Sequence, residues 1–182
     1  MSTAPRRSAA GFTAVEMLIG AGVAMAVGAA CLGGQLAATS LVNESATLGA
    51  LEEQAIFAVK QVAFDARWAD GTTMLLATLN GSRRIDLRTA VDFVGGHPVW
   101  SPMVSYRVVP SSSDSNGNGI VDEGQLVRIQ SGVTRVICDD VVPSGFNAKR
   151  VGDTLTIELS LLRVHSGRPV TASAQTSATI RN

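Results

Sequence analysis

The feature that most constrains this chain is an apolar run from Phe12 to about Val42 in which Glu16 is the one ionisable side chain apart from Cys31. At ~1.5 Å per residue, such a run is about 46 Å long as a helix. That exceeds the ~30 Å hydrocarbon core of a bilayer. A cleaved secretory signal has an apolar core of only about 7–15 residues. The run therefore reads as a membrane-spanning helix that continues past the membrane. Ahead of it, residues 1–11, MSTAPRRSAAG, are small and polar with adjacent Arg6 and Arg7, which reads as a short targeting leader.

Glu16 needs a physical reason. A charged side chain within a spanning segment is costly to bury in lipid and usually has a partner. If the chain is cut between Gly11 and Phe12, the new α-amino group of Phe12 is a cation four residues ahead of Glu16. The carboxylate then offsets the amine of a neighbouring subunit inside a helical bundle.

The string Gly11-Phe12-Thr13-Ala14-Val15-Glu16-Met17-Leu18-Ile19-Gly20 resembles the type III signal sequence of type IV pilins and type II secretion pseudopilins. The resemblance implies cleavage after Gly11 by a prepilin peptidase, N-methylation of Phe12, and a docking role for Glu16, with Thr13 beside it in the assembly segment. It also implies other pilin or pseudopilin subunits, an inner-membrane assembly platform and membrane lipid as partners. The expected location is the bacterial inner membrane, with a periplasmic head, and then the filament. Phe64-Asp65-Ala66-Arg67 and the terminal Ile180-Arg181-Asn182 look like segments of minor pilins of the W type and pseudopilins of the J type. Two other readings start from the same run. Cys31 after Val27-Gly28-Ala29-Ala30 is a partial lipobox, which would make the chain a lipoprotein, and an uncleaved anchor on an unrelated periplasmic domain is the third.

From residue 43 to 70 the chain has no proline and turns amphipathic, with Leu48, Leu51, Ala55, Val59, Val62 and Ala66 spaced to form one packed face. Glu44, Glu52, Glu53, Lys60 and Asp65 supply the solvated side, and Gly71 is the expected stop. Beyond it, short alternating runs separated by Gly, Pro, Ser and Asn signal antiparallel strands. Thr154–Leu161 and Val170–Ile180 make one hairpin, while Leu126–Gln130 and Val133–Ile137 make another around Ser131-Gly132. Thr72–Leu79 and Pro102–Val109 are further strand candidates. The expected fold class is α+β, a long N-terminal helix packed on a small antiparallel sheet. Its parts are a leader at 1–11, an assembly helix at 12–42, an amphipathic continuation at 43–70 and a β-rich head at 71–182. A hydrophobic share of 46% in 182 residues fills one core.

A second string, Asp114-Ser115-Asn116-Gly117-Asn118-Gly119-Ile120-Val121-Asp122-Glu123, places side-chain oxygens at alternate positions one, three and five, with glycine at six. That spacing turns a loop around a hard cation, and calcium fits it best. The candidate ligands are Asp114, Asn116, Asn118, the Ile120 carbonyl, Asp122 and Glu123. Position twelve is Gln125 in place of a bidentate glutamate, which lowers the expected affinity. The role would be structural.

Nothing in the sequence points to an enzyme. His97 and His165 stand apart from any nucleophile or ligand pattern, and Asp139-Asp140 and Asp153 with Glu158 read as solvated charge. Trp68, Trp100 and Tyr106 read as head-core or helix-docking residues, and Cys138 as a small core residue. Cys31 and Cys138 lie in unlike regions, so no intrachain disulfide is expected. Fifteen basic and fifteen acidic residues cancel, so charge gives no reason to infer a nucleic-acid partner.

Overall fold

The structure is a computed structural model that describes residues 12–79, 81–110, 124–165 and 167–180. Gly11 and the whole string from Asp114 to Glu123 lie outside the described residues. The fold is α+β: among the described residues one long helix, α1 (Ala14–Arg67), precedes nine strands. These are β1 (Leu75–Leu79), β2 (Ser82–Leu87), β3 (Ala90–Val94), β4 (His97–Trp100), β5 (Val104–Pro110), β6 (Gly124–Gln130), β7 (Val133–Val151), β8 (Thr154–His165) and β9 (Arg168–Thr179). The chain divides into two compact units, Met1–Asn43 and Glu44–Asn182.

Seven strands form one sheet in the order β1-β2-β5-β6-β7-β8-β9, every neighbour antiparallel, and β3 and β4 pair separately as a two-stranded ribbon. Both expected hairpins form. Ser131 and Gly132 take φ of 51° and 80°, so the β6–β7 loop has positive φ at both central positions, as tight two-residue hairpin loops favour. In β8, Leu155, Ile157, Leu159 and Leu161 are buried at every second position and face the core with Val170, Ala172 and Ala178 of β9.

The second unit's share of α1 packs into that same core. Leu51, Ala55, Ala58, Val62 and Ala66 are fully buried, and Val59 and Ala63 nearly so. Leu48, expected on this face, is 37% exposed and falls outside it. Asp65 also departs from expectation. It is buried, because the buried stripe runs through residues 51, 55, 58, 62 and 65 at steps of three and four, and partners from the sheet meet its charge there. The helix ends at Arg67 rather than Asp70. Its end is tightened by bonds from Trp68 N to Asp65 O and from Ala69 N to Ala66 O, after which Asp70 N donates to Arg88 O.

Strand β7 is much longer than its expected core at residues 133–137. It continues through Pro143-Ser144-Gly145 by a register break, a step of five along β7 from Val141 to Phe146 answering a step of two along β8 from Leu161 to Leu159. Gly145 is required there: a Cβ would come within 2.7 Å of Ser160 O and 2.8 Å of Val142 O.

Candidate anchoring and assembly site

The first turn of α1 carries the residues that the sequence singles out. Thr13 is the last residue before the helix, and its N and Oγ1 both donate to Glu16 Oε2, at 2.9 and 3.0 Å. In return Glu16 N donates to Thr13 Oγ1 at 3.3 Å. This is a capping box: the threonine hydroxyl satisfies an orphan helical N–H, and the carboxylate three residues later reaches back to the cap. A negative charge here also complements the helix dipole. Glu16 thus has a local partner within its own chain, which the spacing Thr13-x-x-Glu16 before an apolar run signals in the sequence. Phe12 precedes the cap and is 82% exposed.

From Val15 to Val42 every residue is exposed among the described residues. Val15, Met17, Leu18, Ile19, Val23, Met25, Val27, Leu32, Leu36, Leu41 and Val42 are all exposed, as is Cys31. With Phe12 these make twelve large apolar residues. At about 1.5–3 kcal/mol each for removal from water, their exposure corresponds to on the order of 20 kcal/mol of unused hydrophobic free energy. That matches or exceeds the whole stability of an ordinary domain. The helix is long and apolar enough to cross a membrane.

Within the second unit, one buried polar cluster fastens α1 to the sheet. Asp65 Oδ2 accepts from Tyr106 Oη of β5 at 2.6 Å and from Arg128 Nε of β6 at 3.0 Å, and Arg128 Nε lies 3.2 Å from Tyr106 Oη. Tyr106 is fully buried. Burial, and then the charge of Asp65, raise its phenol above the ordinary value of 10.0. Burial pulls the Arg128 guanidinium down, but its hydrogen bond to Asp65 and that residue's charge outweigh burial, and the net direction is up. Both directions favour the protonated forms that make these bonds.

A second correction concerns Asp139-Asp140. Asp140 is buried and paired with Arg163 of β8 through Nε and Nη2. Asp139 Oδ1 accepts from Gln125 at 2.7 Å. Of the aromatic residues assigned to the core, Tyr106 is buried, whereas Trp68 is 41% exposed and Trp100 half-buried. Cys138 is a buried core residue whose thiol is pushed up to about 12, chiefly by burial. Asp70 is held below the usual carboxyl range, first by the hydroxyl of Thr72 at 2.6 Å.

Among the described residues no group of three or more His, Cys, Asp or Glu converges in a way that holds a metal ion. No family model matches the chain, and no curated protein or solved structure is significantly similar to it.

Proposed function

We propose that the chain is a minor subunit of a type IV pilus or type II secretion pseudopilus, processed by a prepilin peptidase and built into a helical filament. The observation that carries this reading is the string from Gly11 to Glu16 at the head of an apolar run whose side chains are exposed among the described residues. In this reading, lipid covers that surface before assembly and the helices of other subunits cover it afterwards. Cutting after Gly11 frees the amine of Phe12, next to the Thr13 cap that holds Glu16. Glu16 then exchanges its local cap for the amine of a neighbour, which sets the axial register of docking. The head supplies the surface that distinguishes an accessory subunit from a bulk one, and the string Asp114 to Glu123 supports a structural calcium within it.

Mass analysis of the mature protein tests the central claim. A chain beginning at N-methylated Phe12 is the expected result. One beginning at a lipidated Cys31 supports instead a calcium-binding module that never polymerises, and an intact Met1 supports a plain anchor. Glu16→Ala is expected to leave leader cleavage intact while sharply reducing incorporation into filaments, read by shearing and immunoblot. Undiminished incorporation would remove the docking role. For the loop, calorimetry of the detergent-solubilised full chain with millimolar calcium is expected to show binding heat that Asp114→Ala abolishes.

A further inference from the structure

The β3–β4 ribbon meets the rest of the head through the bond from Ala90 N to Trp68 O and the bridge between Ala69 and Thr89, while Ser101 N donating to Thr89 O closes the ribbon's own base. Two adjoining grooves lie at this attachment. One, of about 410 Å³, is walled by Trp68, Phe93, Pro98 and Trp100. The other, of about 420 Å³, shares Trp68, Ala90 and Phe93 with it and runs along Phe64 and Val91. Each lies in the size range of small-ligand sites. Val91, Phe93 and Val94 are each 60% or more exposed, in a ribbon that buries little of its apolar surface.

The charge of the linings is one-sided. Asp70 lines the first groove, Asp65 and Asp92 line the second, and neither lining includes a Lys, Arg or His. Asp65 is committed to Tyr106 and Arg128. Asp70 accepts from the N–H and hydroxyl of Thr72 through Oδ1, and Asp92 accepts from the Phe93 N–H through Oδ1, all neutral local donors. A surface of aromatic faces edged by carboxylates attracts a cation carried on an apolar body, since ring faces and acids act on it in the same sense.

From this pairing we infer that the grooves are a docking site for a partner protein, which inserts an apolar segment bearing an arginine or lysine between α1 and the ribbon. The site does not depend on leader processing or on the anchor's fate. It gives the head a recognition surface of its own.

The chain's two tryptophans, Trp68 and Trp100, both line the first groove, so tryptophan emission from the full-length chain in a maltoside detergent reads this site. The probe is acetyl-Leu-Arg-Leu-amide, with the Leu-Glu-Leu and Leu-Gln-Leu analogues as comparisons. A saturable emission change is expected with the arginine peptide, at a concentration about tenfold below that needed for the glutamate peptide. Asp70→Asn combined with Asp92→Asn keeps the oxygens that accept from Thr72 and Phe93, and is expected to erase that preference. Phe93→Ala, at an exposed position, is expected to weaken all three peptides alike. Three results would overturn the inference: no saturable change, equal response to the arginine and glutamate peptides, or a preference that survives in the double variant. Emission that shifts with protein concentration alone would show that a second copy fills the groove, and would overturn the assignment of the partner.

Discussion

The helix α1 holds two stretches that obey different rules. Residues 15–42 are predominantly apolar and, among the described residues, exposed throughout, whereas residues 51–66 carry an apolar stripe at steps of three and four that is buried. Hydrophobicity alone does not decide which stretch enters the core. The second packs because its apolar residues recur at three and four, leaving Glu52, Glu53 and Lys60 to face water. The first has no polar side to give up, so a sheet could cover only part of it. Covering the whole takes surroundings that are apolar on every side, as lipid is.

The largest expected effect tests the polar end of the packed stripe. Asp65→Ala leaves Arg128 and Tyr106 without their shared acceptor and is expected to cost the head about 3–5 kcal/mol, read as a lowered denaturation midpoint of the full chain in detergent. A loss below about 1 kcal/mol would mean that the cluster contributes little to fastening the helix to the sheet. Next, Leu51→Ala is expected to cost about 2–5 kcal/mol by opening a cavity, whereas Leu32→Ala, the same change in the exposed stretch, is expected to stay within about 0.5 kcal/mol. Equal losses at the two positions would break the comparison.

The smallest effect is set by pH. Tyr106 and Cys138 are neutral when protonated, and both have their pKa raised by folding, from ordinary values of 10.0 and 9.0. Above pH 9 the unfolded chain releases the Cys138 proton that the folded chain retains up to about 12, and above pH 10 the same applies to Tyr106. Stability is therefore fully present below these values and falls as pH rises, by about 1.4 kcal/mol per pH unit for each group once its range is entered. Cys138→Ala is expected to delay the onset of alkaline destabilisation by about one pH unit, in thermal melts from mildly to strongly alkaline buffer. An unchanged onset would mean that the thiol is not the first group to titrate.

The parts of the fold legible in the sequence are those with a local signature. The Ser131-Gly132 hairpin, the alternation of Thr154–Leu161 and the stripe through Leu51, Ala55 and Val62 each rest on neighbours within one element. Asp65 was not legible as buried, because its partners lie 41 and 63 residues away on β5 and β6. Its position three residues after Val62 was the available hint. The β3–β4 ribbon had a signal in Gly95-Gly96 between apolar runs, with positive φ at both glycines. Pro143-Ser144-Gly145 carries the composition of a turn, yet β7 passes through it as a bulge because β8 continues alongside. At the candidate site, the apolar run and Glu16 stand out by contrast with their surroundings. The Thr13 cap is less conspicuous, since threonine is unremarked in an apolar helix until the carboxylate three residues on is read with it.

That cap also fixes a mechanical boundary. Helical hydrogen bonding begins at Ala14, with Met17 N donating to Thr13 O, so Phe12 lies before the first bonded turn. A hydrolase acting on the bond ahead of Phe12 needs an extended strand of substrate, and it meets Phe12 without first unwinding the turn that Thr13 and Glu16 hold closed. Under the proposed processing, where the helix starts governs how much work a peptidase must do, and the carboxylate proposed to dock in a filament already serves as a stop for the coil in the single chain.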